Sequence, residues 1–94
     1  MNNQLSKSEE QIKEEKQKAF LEQARKGVLK FIHDKGGKLS LAEMHDYSMN
    51  RYLIQHQSFS KMMEAFVGEG YVEYDALTQD ATLTEAGRQF ITVA

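Results

Sequence analysis

Histidine, aspartate and glutamate are the side chains of this sequence that could carry catalytic or metal chemistry, because the chain has no cysteine. The three histidines, His33, His45 and His56, are far apart along the chain, and we interpret them as isolated from one another. His33 and His45 each precede an aspartate directly. Adjacent residues on a helix point in different directions, so neither pair predicts an acid–base dyad. The sequence also has no HxxxH pair, no glycine-rich phosphate loop after a strand and no nucleophile set. We therefore expect a protein that is not an enzyme and uses no metal and no cofactor.

Length and composition predict one small domain. The chain has 94 residues, of which 40% are hydrophobic and 28% charged, which is ordinary globular usage and enough for a modest core. The N-terminal segment has no apolar run resembling a signal peptide, and no stretch approaches the roughly 18 apolar residues of a membrane helix. We expect a soluble, cytoplasmic protein that does not contact membranes.

Charge is distributed unevenly along the chain. Residues 1–26 contain six basic and five acidic side chains, whereas residues 27–94 contain six basic and nine acidic ones. The second part is therefore mildly acidic, which disfavours approach to phosphates.

The first 18 residues are highly polar, and we assign them to an N-terminal extension that is helical or disordered. Residues 19–94 form the predicted folded domain. Leu5, Ile12 and Ala19 are spaced by seven, which fits one seam of a helix. Two alternatives follow for the extension: a solvated helical segment, or an arm that forms a homodimer.

Apolar residues at helical spacing predict a first helix that begins well before residue 20. It should end at Asp34 or Lys35, because Gly36 and Gly37 follow. Its predicted inward stripe consists of Phe20, Leu21, Ala24, Val28, Phe31 and Ile32.

Ser40 and Glu43 form an S-x-x-E capping box, which predicts the start of a second helix. Neither proline nor glycine marks its end, so we place an irregular turn over residues 50–56. The residues expected to face inward are Leu41, Met44 and Tyr47 or Ser48.

A third helix is predicted from about residue 58 to residue 69. An alternating segment, residues 71–75, then predicts a half-buried strand with Val72 and Tyr74 on one side. After a five-residue loop, residues 81–84 form the returning strand, and this hairpin is the only sheet that we predict. The buried stripe of the third helix should be Phe59, Met62, Met63, Phe66 and Val67.

Thr84 is the predicted N-cap of a last helix, with Gly87 in its first turn. A glycine costs up to about 1 kcal/mol in a helix interior and less near an end. Its missing Cβ predicts that the last helix packs closely against a neighbour. The core expected there joins Ala86, Phe90 and Ile91 to Phe31, Ile32, Phe66 and Leu83.

The order of these elements, together with two segments, resembles the winged helix-turn-helix class, as in the MarR-like and related small prokaryotic regulators. The segment IQHQSFSKMMEAFVGEGYVEYD, residues 54–75, looks like a turn, a recognition helix and the entry to a wing. The segment LTEAGRQFI, residues 83–91, looks like the exit from the wing. The resemblance implies a mainly α fold with a β-hairpin wing, an α+β class. Its order is helix, helix, helix, strand, strand, helix, after an N-terminal helical extension.

In that class the third helix enters the major groove and the wing reaches the backbone or minor groove. The resemblance therefore implies a transcription regulator whose partner is double-stranded DNA. Gln57 could meet adenine, and Lys61 could meet guanine or a phosphate. The implied DNA-binding residues are His56, Gln57, Ser58, Ser60, Lys61 and Glu64, with Lys38 and Arg51 near the turns.

Two features depart from the habit of that class. The wing loop, residues 76–80, contains no lysine or arginine, and the third helix sets one lysine against one glutamate. Both features weaken attraction to phosphates. The alternative is a winged-helix module that binds another protein without significant DNA binding, which the tyrosines and methionines would suit if several were exposed.

Overall fold

Four helices and a small three-stranded antiparallel sheet make up residues 9–92, the part of the chain that the computed structural model describes. The architecture is mainly helical and of the α+β class. In chain order the elements are α1 (Glu9–Asp34), β1 (Lys38–Ser40), α2 (Leu41–Tyr52), α3 (His56–Gly68), β2 (Val72–Asp75), β3 (Asp80–Leu83) and α4 (Glu85–Thr92).

Helix α1 ends at Asp34, as predicted. Gly36 and Gly37 adopt φ values of 100° and 92°, a left-handed conformation that glycine enters at little cost. The Gly37 amide donates to the Ile32 carbonyl at 2.8 Å, which satisfies one of the free carbonyls at the end of the helix.

The buried stripe of α1 differs from the predicted one. Ala24, Val28, Leu29 and Ile32 are buried, so the prediction missed Leu29. It also wrongly placed Phe20 and Leu21 inside, because their side chains are 46% and 47% exposed. These two residues lie at the edge of the domain, where the Phe20 ring meets the edge of the Tyr52 ring at 6.1 Å. Residues 9–23 of the helix are all exposed.

Strand β1 is absent from the prediction, which had a hairpin alone. It pairs antiparallel with β3, whose other neighbour is β2, so the strand order is β1-β3-β2. Lys38 lies opposite Thr82, and Ser40 lies opposite Asp80. A three-residue strand whose partner lies about forty residues away has no local signature in the sequence, which explains the omission.

The start of α2 is capped as predicted. The Glu43 amide donates to the Ser40 hydroxyl at 3.2 Å, and that hydroxyl donates to the Glu43 carboxylate at 3.1 Å. Met44 and Ser48 are fully buried. The Ser48 hydroxyl donates to the Met44 carbonyl at 2.8 Å, so the buried polar group is satisfied within its own helix.

Most of the α3 and β2 residues that were predicted to be buried are buried in the structure. Phe59, Met62, Met63 and Phe66 are buried, but Val67 is 46% exposed, contrary to the prediction. Val72 is buried, whereas Tyr74 is 39% exposed although it lies on the same side of the strand. Val67 and Tyr74 line one open cleft between α3 and β2, where no described residue covers them.

The junction before α4 confirms the role inferred for Gly87. The Gly87 amide donates to the Thr84 hydroxyl at 3.0 Å, which is the predicted N-cap. A Cβ at Gly87 would collide with the Tyr71 carbonyl oxygen and lie 2.6 Å from Leu83 Cδ1. Phe90 and Ile91 pack on the core as predicted, and Phe90 stacks on Tyr71 with ring centroids 4.5 Å apart. Ala86 is exposed, so its predicted place in the core is wrong.

We predict that Gly87→Ala lowers the free energy of unfolding by about 1–3 kcal/mol, because the new methyl group must displace backbone. The matched control is Gly68→Ala, since no atom lies within 4 Å of a Cβ built there. The control should be neutral or gain up to about 1 kcal/mol from helix propensity. Urea unfolding followed by circular dichroism measures both, and equal stabilities for the two variants would contradict the close approach.

Deletion of residues 1–18 should leave a folded domain. Residues 9–18 are exposed along α1, and the first buried position of the helix is Ala24. Thermal unfolding of the shortened chain should therefore stay cooperative, with a midpoint close to that of the full chain. A broad transition without cooperativity would refute this expectation.

Candidate nucleic-acid interface

The outward face of α3 carries the predicted DNA-binding residues. Gln57, Lys61 and Glu64 are exposed and follow the i, i+4, i+7 spacing, so they form one line along the helix. Phe59, Met62, Met63 and Phe66 anchor the opposite side in the core. His56 and Ser58 are exposed in the first turn of α3, and Ser60 is half-buried at the edge of this face. The structure thus brings together the six candidates that lie on α3.

A shallow apolar groove runs along one side of this face, between α1 and α3. Its volume is about 270 Å³. Arg25 at its rim forms ion pairs with Glu22 and with Glu69, and its guanidinium lies 5.7 Å from the centre of the Phe66 ring. The lining residues are Leu21, Arg25, Ile54, Ser58, Lys61, Met62 and Ala65.

A second groove on the other side of α3 contains two histidines. The rings of His45 and His56 have centroids 5.4 Å apart, and His45 also meets the edge of Phe59 at 5.0 Å. The sequence interpretation treated these histidines as isolated, and in this respect it was wrong. They are eleven residues apart and meet only because α2 and α3 fold against each other, so the sequence contains no signal for the pair. Within residues 9–92, no three His, Asp or Glu side chains form a group that could hold a metal ion.

The two candidate cations outside α3 already have partners. Lys38 lies in β1, and its Nζ is 3.8 Å from the Asp80 carboxylate. Arg51 lies in the last turn of α2, with its guanidinium 5.2 Å from the centre of the Tyr52 ring. By contrast, Lys61 makes no ion pair with any residue from 9 to 92 and is exposed. Lys61 is therefore the cation that the α3 face presents to solvent.

The aromatic side chains beside Arg51 are packed together. Tyr47 stacks on Phe31 with ring centroids 3.9 Å apart and meets the edge of Tyr52 at 6.0 Å. Burial raises the pKa of the Tyr47 phenol, and the adjacent Tyr52 raises it further. The Tyr47 phenol therefore stays neutral at physiological pH and adds no negative charge beside Arg51.

The loop between β2 and β3 is ordered by its own first residue. The Asp75 carboxylate accepts from the Leu77 amide at 2.9 Å and from the Thr78 amide at 3.4 Å. Gln79 has a φ of 61° and returns the chain into β3. The tip presents Leu77, which is 95% exposed, and the loop is flanked by Asp75 and Asp80. It offers an apolar side chain between two acids and no cation.

The turn between α2 and α3 determines the position of α3 and therefore of its outward face. Helix α2 ends at Tyr52, within the irregular segment predicted over residues 50–56, and α3 begins two residues earlier than predicted. Leu53 has a φ of 58°, and its amide donates to the Met49 carbonyl at 2.9 Å. The Ile54 amide donates to the Ser48 carbonyl at 3.2 Å, and the Ile54 side chain is buried. Leu53 itself is 80% exposed, so its backbone conformation matters here rather than its side chain.

We expect Leu53→Gly to change the free energy of unfolding by less than about 1 kcal/mol. Glycine relieves the strain of the left-handed backbone conformation in the folded state. This stabilisation offsets the larger conformational entropy that glycine has in the unfolded chain. Leu53→Val should instead cost about 1–2 kcal/mol, because a β-branched residue tolerates positive φ poorly. Chemical denaturation of the two variants tests this, and a valine variant as stable as the glycine variant would contradict the assigned turn.

The site is therefore a polar helix face with one unpaired lysine, bordered by two grooves and by an acidic hairpin tip. None of the helices in residues 9–92 combines the length and apolar character needed to cross a bilayer. Comparisons with known proteins found no matching family model, no similar curated protein and no similar solved structure.

Proposed function

We propose that this chain is a winged helix-turn-helix protein that binds double-stranded DNA through α3 and acts as a transcription regulator. The observation that carries the proposal is the exposed polar line of Gln57, Lys61 and Glu64 on a helix whose opposite side is anchored in the core. With 13 residues, α3 is about 20 Å long and has the dimensions that a major groove admits. The strand order β1-β3-β2, with α2 and α3 between β1 and β2, supports a winged arrangement.

The residue types on this face suit contacts with base edges. The Gln57 amide can bond adenine in a bidentate manner, and Lys61 can donate to guanine or to a phosphate. Glu64 can accept from the amino group of cytosine, and Ser58 at the end of the face can donate to a phosphate oxygen. His56 and Ser60 lie at the edge of the face and would contact the backbone.

Charge limits the strength of the proposed binding. Lys61 is the unpaired cation on α3, Lys38 is engaged with Asp80, and the hairpin loop from residue 76 to residue 79 has no basic residue. Each phosphate neutralised contributes about −0.9 to the slope of log K against log salt, so roughly two to four contacts give a slope of about −2 to −4. Affinity should therefore be modest and its salt dependence shallow.

A second candidate is a protein-interaction module, favoured by the hairpin. Leu77 is 95% exposed at its tip, and Val67 and Tyr74 leave an apolar cleft of about 450 Å³ between α3 and β2. An exposed apolar tip between acids suits a protein surface better than a phosphate backbone. This candidate uses the same side of the domain as the first, so binding of the two partners would be mutually exclusive.

The first test is a titration of the full chain with mixed-sequence duplex DNA at two salt concentrations. We expect binding at about 50 mM salt that weakens as salt is raised, because nonspecific contacts to phosphates are the common component of DNA binding. Fluorescence anisotropy of labelled duplex gives the affinity. No binding at micromolar protein and low salt would exclude the DNA proposal and leave the protein-interaction candidate.

The residue-level test uses Lys61→Glu, which should weaken DNA binding at least tenfold. The matched control is Arg88→Glu, which makes the same change in charge on α4, at a residue paired with Glu85 at 2.5 Å and exposed. The control should change the affinity far less than Lys61→Glu. Equal loss in both variants would mean that overall charge, and not the α3 face, determines the affinity.

A further inference from the structure

The groove between α1 and α3 (the α1–α3 groove) is lined by two cations and by no acid. The cations are Arg25 and Lys61, and the other lining residues are Ser58 and four apolar side chains. By contrast, the cleft between α3 and β2 is lined by Glu64 and by no basic residue. Charge complementarity therefore favours an anion in the α1–α3 groove rather than in that cleft.

Of the two cations, Lys61 is the one available to a ligand. Arg25 forms ion pairs with Glu22 and Glu69, so its charge is balanced and its side chain is held in place. Both glutamates are exposed and lie outside the groove lining. Lys61 makes no ion pair within residues 9–92, and Ser58 lies three residues before it on the same helix. An ammonium donor and a hydroxyl donor are therefore neighbours at this groove.

The rest of the lining is an apolar surface that α1 and α3 leave partly open. Ile54 and Met62 are buried, but Leu21 is 47% exposed although it fits the apolar stripe of α1. A ligand in the groove would remove this apolar area from water, which favours binding. The groove volume of about 270 Å³ is slightly below the range of about 300–1,000 Å³ for drug-sized ligands. The groove therefore suits a small molecule.

We propose that the α1–α3 groove binds a small apolar carboxylate. The carboxylate accepts from the Lys61 ammonium and the Ser58 hydroxyl, and the apolar part of the ligand covers Leu21. One unpaired cation balances one negative charge. A nucleotide carries more charge and a more polar body, which this apolar lining does not match.

The inference goes beyond the proposed DNA binding. Ser58 and Lys61 are candidates for both roles, so the ligand experiments are carried out without DNA. Their result then does not depend on whether the chain binds a duplex, and either proposal can fail alone.

The first experiment compares three ligands that share one tail: octanoate, octanol and octylammonium. Each is titrated into the isotope-labelled full chain at constant ionic strength, and NMR chemical shifts report the affinity and the location. Octanoate should bind below about 10 mM. The other two should bind at least about threefold more weakly, because they lose the ion pair with Lys61.

Two outcomes of this comparison would overturn the proposal. One is no octanoate binding in that range, and the other is equal affinity for the three ligands, which would indicate apolar contact alone. The shift changes should centre on Ile54, Lys61 and Ala65. Changes centred on Leu41 and Tyr74, in the cleft between α3 and β2, would overturn the location.

Lys61→Met tests the headgroup, because methionine removes the charge and keeps a flexible apolar side chain. The affinity for octanoate should fall to that for octanol, while the affinity for octanol stays unchanged. The matched control is Lys30→Met, which removes the same charge at an exposed residue of α1 whose Nζ lies 3.3 Å from the Asp34 carboxylate. This control should keep the preference for octanoate. An undiminished preference in Lys61→Met, or equal loss in both variants, would overturn the role of Lys61.

Ala65→Leu tests the groove itself, since it enlarges a half-buried residue of the lining. Filling the groove should weaken octanoate binding at least about tenfold. The matched control is Ala86→Leu, the same enlargement at an exposed residue of α4, which should leave binding unchanged. Circular dichroism verifies that both variants are folded, and Lys61→Met tests the site even where Ala65→Leu fails to fold. Equal octanoate affinity in the two leucine variants would overturn the assigned site.

Discussion

At Gly87 the backbone of α4 lies against the carbonyl of Tyr71, and the rest of the domain depends on this approach. Thr84 makes the junction possible with two bonds: its amide donates to the Tyr71 carbonyl at 3.0 Å and its hydroxyl donates to the Gly70 carbonyl at 2.6 Å. The same hydroxyl accepts the Gly87 amide and so begins α4. One residue therefore joins the end of β3, the entry to β2 and the start of the last helix.

The consequence of this junction is a rigid base for α3. Because the hairpin returns onto the body, Val72, Ala81 and Leu83 are buried with Phe66, while α4 brings Phe90 against Tyr71. Helix α3 is held between this sheet and the tight turn at Leu53, so its polar line can face solvent without loss of packing. A helix anchored on one side and polar on the other can present side chains in a fixed geometry, and the proposed function uses that property.

The distribution of charge separates two surfaces. The α3 face has few cations and lies beside an acidic hairpin tip, whereas residues 9–15 at the start of α1 carry four glutamates and one lysine. The α3 face suits a partner that is recognised through a few specific contacts.

The sequence by itself determined those features that local interactions control. Two glycines end α1, Ser40 caps α2 and Thr84 caps α4, since each signal acts within a few residues through the backbone. The buried side of α2 also followed from helical spacing, as did most of the buried side of α3. The candidate DNA-binding residues on α3 are the positions that helical spacing does not assign to the core, so the sequence alone could identify them.

The tertiary structure decided everything that depends on which segments meet. Strand β1 exists because β3 returns beside it, and the same three residues read alone predict no strand. Phe20 and Tyr74 fit apolar patterns, yet they stay partly exposed because the neighbouring elements cover only part of each side chain. His45 and His56 meet across the α2–α3 turn. Spacing shows which side of an element is apolar, but only the arrangement of the neighbouring elements shows how much of that side is covered.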